Sequence, residues 1–209
     1  MEQILIVSGH TDLSQSVVNK QILENLSSKL PKAEIIKLDQ LYPDFKIDTN
    51  KEQERLLNKN IIIFQFPMFW FSAPSILERY IEQTFTHGFS HGSSGDKLKG
   101  KKLIISCTIG AAENLYQKDG LFGFKSEEYF HMFKSLCALT QMEFAGYICS
   151  YGNSYLMRTS KELIETQKLK SGKHTDDLIN LVNSLLNKFV DNKGLENSVK
   201  CNCCNMCKN

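Results

Sequence analysis

Apolar residues in this chain fall in short continuous runs, and longer stretches with helical spacing separate the runs. Ile4-Leu5-Ile6-Val7 is the first run, stopped by Ser8-Gly9. A short apolar run bounded by turn formers predicts a buried strand. Val17, Val18, Ile22, Leu26 and Leu30 then recur near a helical period and predict a helix closed by Pro31. Residues 34–38 predict a second strand, 40–50 a polar loop, 51–59 a short charged helix and 61–66 a third strand. Pro74 suits a helix start, and Ile76, Leu77, Tyr80, Ile81 and Phe85 line one face behind it. A Gly/Ser-rich loop is predicted over 87–97, a fourth strand over 103–107, a helix over 126–140 and a fifth strand over 144–149. The last helical region, 159–190, carries a possible break at Ser171-Gly172.

Strands alternating with helices predict an α/β fold, a doubly wound parallel sheet covered on both faces. With five strands the expected order is 2-1-3-4-5, and ligands bind beyond the carboxyl ends of such strands. Residues 1–192 read as one domain. Residues 193–209 read as a flexible Cys-rich tail.

Three loops converge on that edge: 8–19, 66–74 and 107–116. In the first, His10 is followed by Ser16, Val17, Val18 and Asn19 at a helix start, where side chains and backbone N–H groups suit a phosphate. The plainer reading is that Ser14 or Ser16 caps the helix. The second loop holds Pro67, Met68, Phe69, Trp70 and Phe71 at a strand end. Trp70 is the only tryptophan, and such a set suits a flat aromatic ring. The third loop, Thr108-Ile109-Gly110-Ala111, has residues small enough for backbone N–H groups to approach a ligand, that of Ile109 included. It reads equally as an ordinary turn. Neither a Gly-x-Gly-x-x-Gly loop nor a P-loop follows the first strand.

Together the three loops resemble those of the flavodoxin-like NAD(P)H:quinone oxidoreductases. That family includes the mammalian quinone reductases, the ancillary oxidoreductases of glutathione-gated potassium efflux and the general-stress quinone reductases. The matching residues are His10, Ser16 and Asn19; Phe66 through Pro74; Tyr80-Ile81-Glu82; the 87–101 loop; and Thr108 through Ala111 with Tyr116. The resemblance spans about residues 3–155. It implies a flavodoxin-like fold and a bound flavin, FMN with FAD as the alternative. It also implies hydride transfer from NAD(P)H to a quinone-like acceptor in ping-pong fashion. On this resemblance His10 and Ser16 to Asn19 hold the ribityl-phosphate arm. Pro67, Met68, Phe69, Trp70 and Phe71, with Thr108, Ile109, Gly110 and Ala111, frame the ring. Tyr116 stands at the ring edge as the catalytic group.

A homodimer is implied, with residues 64–71 and 121–133 facing a second copy. The chain departs from the family pattern at Ile109 and Ala111, at His91, and at Phe122, where the mammalian enzymes carry a His. A reading of another class is a flavin-binding regulatory subunit or electron carrier, as in a potassium-efflux system. A third is a flavin-free interaction domain.

Composition narrows this picture. A net charge of +2 without a basic stripe argues against a nucleic-acid partner. No apolar stretch approaches the ~20 residues of a membrane span, and no signal peptide is recognisable, so a cytoplasmic protein is expected. Cys107, Cys137 and Cys149 sit in apolar segments and read as buried thiols. Cys201, Cys203, Cys204 and Cys207 crowd the end. They read as a redox-sensitive tail more readily than as a metal site.

Overall fold

A computed structural model describes the backbone of residues 4–202 and the side chains of residues 4–187. The expected tail thiols therefore lie outside the described residues. Five strands, β1 (Ile4–Ser8), β2 (Glu34–Lys37), β3 (Ile61–Pro67), β4 (Lys102–Thr108) and β5 (Glu143–Ser150), form one parallel sheet. Its order is β2-β1-β3-β4-β5, as expected.

The helices are α1 (Val18–Lys29), α2 (Leu38–Leu41), α3 (Thr49–Leu57), α4 (Ser75–Thr84), α5 (His131–Thr140) and α6 (Lys161–Asn202). The short α2 occupies part of the expected 40–50 loop. The helix expected over 126–140 begins as a tighter 3₁₀ turn, Ser126–Phe130, before α5. α6 passes through Ser171 and Gly172 without the expected break.

Alternation along the strands builds two cores, because successive side chains point to opposite faces. Leu5, Val7, Ile62, Phe64, Leu103 and Ile105 pack with Leu56 of α3, Ile76, Leu77 and Tyr80 of α4, and Phe133 of α5. Ile4, Ile6, Ile61, Ile63 and Ile104 pack on the other face with Ile22 and Leu26 of α1 and Leu178 and Val182 of α6. Each such side chain contributes about 1.5–3 kcal/mol by leaving water. The sheet is thus clamped between two helical layers, and its carboxyl edge stays open for loops.

Two glycines shape that edge and its flank. A Cβ on Gly9 would lie 2.7 Å from Leu77 Cβ, so only glycine lets the first loop pass this close to α4. Gly146 has φ 134° and sits where the β4–β5 register slips, between the Leu103 and Ile104 pairings, as a bulge in β5. Among the described residues no helix is long and apolar enough to cross a membrane.

Candidate active site

Asn19 is the knot of the carboxyl edge. It is buried on the first turn of α1, and its Oδ1 accepts from Gln65 Nε2 at 2.6 Å and from Thr108 Oγ1 at 3.1 Å. Its backbone N–H and Nδ2 donate to Ser16 Oγ at 3.1 and 3.0 Å. One amide therefore ties the α1 start to β3 and β4. The plain reading of Ser16 as a helix-capping group holds, since its oxygen accepts in the first turn. Both acceptor positions of that hydroxyl are used, and its O–H is left to donate outward.

His10 stands beside it. The N–H of Asp12 donates to His10 Nδ1 at 3.0 Å, which places the ring proton on Nε2. Burial lowers the His10 pKa, and Arg158 adds to the effect; Asp39 and Asp12 oppose it. The imidazole is thus a neutral donor with an edge-on contact to Phe69, 5.8 Å between ring centres.

These groups open onto a cavity of about 260 Å³ lined by His10, Ser16, Val17, Val18, Asn19, Pro67, Met68, Phe69, Thr108 and Gly110. Ten of the expected site residues thus share one hollow. Larger, open grooves of about 600 and 610 Å³ run along α1. They lack the convergence of strand-end loops that marks a site in this kind of sheet.

Five expected residues do not line the cavity. The Ile109 side chain is buried in the core, and its N–H donates to Ser150 O at 2.8 Å. The expected N–H donor is therefore consumed by continued pairing with β5, and the free donor is Gly110 N–H. Ala111 packs at the edge of the core, and its carbonyl accepts from Gly152 N–H at 2.9 Å.

Trp70 and Phe71 form the two-residue tip of a tight hairpin closed by Phe69 N–H to Ser72 O, 3.1 Å, and Ser72 N–H to Phe69 O, 3.0 Å. Both take left-handed backbone, φ 50° and 66°, where Asn-Gly is the usual pair. The two side chains then diverge. Trp70 is 94% exposed. Phe71 is stacked on Tyr129 and meets Phe122 edge-on, with centres 5.5 and 5.0 Å away.

Tyr116 is buried in that same cluster, 6.5 Å from Phe71 between ring centres. Burial first, then Tyr129 and the Cys107 and Cys149 thiols, raise its pKa, so its hydroxyl stays protonated. Phe64 and Phe66, expected near a second copy, are core residues. Trp70, Phe71, Leu121 and Phe124 are exposed apolar side chains from the expected stretches and the tip of the hairpin. His91 faces His87, with rings 5.7 Å apart, in the loop before β4.

Asn153, Ser154, Tyr155, Arg158 and Gln167 also line the cavity, and sequence reasoning passed over them. They follow β5, whose polar turn Gly152-Asn153-Ser154 was the available signal. Asn153 N–H donates to Ile109 O at 3.0 Å, so the fourth loop is stitched to the third. Asn153 Oδ1 and Gln167 Oε1 are buried acceptors with no donor among the described residues.

The sheet order, the converging loops and the sequence agree on ancestry, for a family described by its flavodoxin-like fold matches residues 2–174. The chain belongs to that family. YrkL of Bacillus subtilis, an uncharacterized NAD(P)H oxidoreductase, is 34% identical over 154 residues, 74% of this chain and 88% of YrkL. The glutathione-regulated potassium-efflux ancillary protein KefF of Salmonella typhi is 41% identical over 111 residues, 53% of this chain and 62% of KefF. The fold superposes on general stress protein 14 of Treponema denticola, a structure in complex with FMN, with a TM-score of 0.77 at 24% identity over 86% of this chain and 99% of that one. Proteins named as NAD(P)H oxidoreductases thus stand among the relatives of this family member, beside a potassium-efflux ancillary protein.

Proposed function

We propose that this chain is a flavin-dependent NAD(P)H oxidoreductase that passes a hydride to quinones or similar acceptors. The observation that carries this reading is the cavity's pairing of outward donors with orphaned acceptors. Ser16 O–H, His10 Nε2–H and the Val17 and Val18 N–H groups at the start of α1 suit a phosphate. Asn153 Oδ1 and Gln167 Oε1 are buried without donors, a state that costs about 1–3 kcal/mol per group until a hydroxyl arrives. A ribityl chain brings hydroxyls and ends in a phosphate, so these residues fit FMN. FMN is also the ligand named with the Treponema relative; FAD is the alternative.

When bound, the flavin supplies two-electron hydride chemistry, alternating between NAD(P)H and the acceptor in ping-pong fashion. Pro67, Met68 and Phe69 orient the ring from one side. Gly110 N–H, without an acceptor among the described residues, would serve as a backbone donor that stabilises charge on the ring. Trp70, exposed at the tip of its hairpin, would cover the ring or the acceptor and exclude water. Tyr116, beside Phe71, keeps a proton on its hydroxyl and would donate it at the ring edge or the acceptor.

A homodimer fits the exposed group of Trp70, Phe71, Leu121 and Phe124. The expected setting is cytoplasmic. The likeness to KefF favours one second reading, a flavin-binding subunit of a potassium-efflux system.

Purified protein should be yellow with one flavin per chain, identified by chromatography, and should oxidise NADH or NADPH with menadione over many turnovers. Flavin binding without turnover would support the subunit reading. Absence of flavin binding would refute both.

A further inference from the structure

We propose that Arg158 is the counter-ion of the ligand's terminal phosphate, and that the turn carrying it makes the cavity selective for a phosphate monoester over the same ligand without one. This rests on the flavin reading above.

The turn is a 3₁₀ segment, Tyr155–Arg158, capped by Ser154, whose Oγ accepts from Leu156 N–H at 3.3 Å. It links the end of β5 to α6 and lines the cavity together with His10 and the α1 start. Arg158 is the one permanently charged cation in the lining, and the lining contains no carboxylate. Among the described residues no acid pairs with Arg158. The nine ion pairs there use other cations. The Arg158 charge also reaches across the cavity, since it helps hold His10 neutral.

A bland role is available. The guanidinium lies over the Tyr155 ring at 4.1 Å, and such pairs decorate many surfaces. Stacking, however, uses only the flat face of the group. It leaves the in-plane N–H fork free, and that fork matches two phosphate oxygens. The contact with Tyr155 therefore anchors the guanidinium in the cavity lining without using its N–H donors. An arginine without an acidic partner, in one lining with the Val17 and Val18 N–H groups, describes half of a phosphate clamp. Gln167 and Asn153, on either side of the turn, offer acceptors for the polyol that precedes the phosphate. A phosphate monoester carries close to two negative charges and three free oxygens. Riboflavin has neither and would gain nothing from Arg158.

The test titrates flavin-free protein with FMN and with riboflavin, following quenching of flavin fluorescence. Wild type should bind FMN at least tenfold more tightly than riboflavin. Arg158→Gln should lose at least tenfold in FMN affinity and less than twofold in riboflavin affinity, and Arg158→Lys should recover part of the loss. Rising salt should weaken FMN binding more in wild type than in Arg158→Gln. Far-UV circular dichroism and melting of the free variants verify that the fold is kept. Equal losses for the two ligands, or no loss for FMN, would overturn the proposal. Wild type binding both ligands equally would overturn it and leave the flavin reading intact. Wild type binding neither would sink both.

Discussion

Trp70→Asn should stabilise the ligand-free protein, although it removes the only tryptophan. Trp70 occupies the first tip position of its hairpin with φ 50°. Left-handed backbone costs a residue with a bulky side chain about 1–2 kcal/mol, and asparagine adopts it readily. The side chain returns little of this, because 94% of it is in water. Burying the remainder of a ring of ~250 Å² is worth only ~0.4 kcal/mol. The balance is a gain of about 1 kcal/mol, or ~2–4 °C in melting temperature for a chain of this length.

The neighbouring substitution should act in the opposite sense. Phe71 carries similar strain but is only 40% exposed and is held by Tyr129, Phe122 and Tyr116. Phe71→Asn should lose about 2 kcal/mol, the lost burial outweighing the relieved strain. Urea unfolding followed by far-UV circular dichroism suits both variants, since the tryptophan signal is absent from one of them. The experiment belongs at protein concentrations where the chain is monomeric. Turnover with menadione should fall in Trp70→Asn despite the gain in stability, which is the signature of strain kept for function. A Trp70→Asn protein that unfolds more easily than wild type by half a kcal/mol or more would refute this reasoning.

Tyr116→Phe should lower turnover with quinone while leaving flavin affinity nearly unchanged; identical kinetics across pH would remove the hydroxyl from the chemistry. His174 on α6 is buried, shares a hydrogen bond of 2.8 Å with Ser106 Oγ, and has its pKa lowered to about 4 by burial. The unfolded chain takes up this proton near 6.5, so the stability is fully present above that pH and is lost as pH falls to about 4, by ~3 kcal/mol in all. His174→Gln should flatten the acid limb by about that amount, and an unchanged acid limb would count against it. Asn19→Ala should loosen the site without unfolding the chain, lowering flavin affinity at least tenfold. If Gln65 and Thr108 found other partners, affinity would be kept and the idea of Asn19 as a knot would fail. With a thiol reagent on the native protein, Cys107 and Cys137 should resist and half-buried Cys149 should react in part. Rapid labelling of Cys107 would contradict its burial.

The sheet was legible because its strands announce themselves as unbroken apolar runs, and burial on both faces permits little else. Helix interiors were legible from the helical period of their apolar positions. α2 escaped notice because one turn contains no period. The break expected at Gly172 did not occur, since packing of Leu178, Val182 and their neighbours overrides the local preference for a turn.

The site was legible where a loop leaves a strand with unusual residues, as at His10, Asn19 and Met68. It was not legible where function depends on which hydrogen bonds are already made. Nothing in Thr108-Ile109-Gly110 reveals that the middle N–H is spent on Ser150. Nor does Trp70-Phe71 reveal which ring points outward. Arg158, on the turn after the fifth strand, and Gln167, on α6, carry no local pattern that sets them apart from ordinary surface residues.

The bulge at Gly146 also bears on solubility. β5 is an edge of the sheet, and seven of its eight residues, Phe144, Tyr147 and Ile148 among them, are half-buried. A long apolar edge with a free row of backbone groups invites a strand from another molecule. The register slip interrupts that row near its start, so an incoming straight strand could pair on one side of Gly146 but not in step on both. Straightening the bulge by deleting Ala145 would lengthen the unbroken template. Such a protein should form β-rich aggregates on mild heating at concentrations where the parent stays clear.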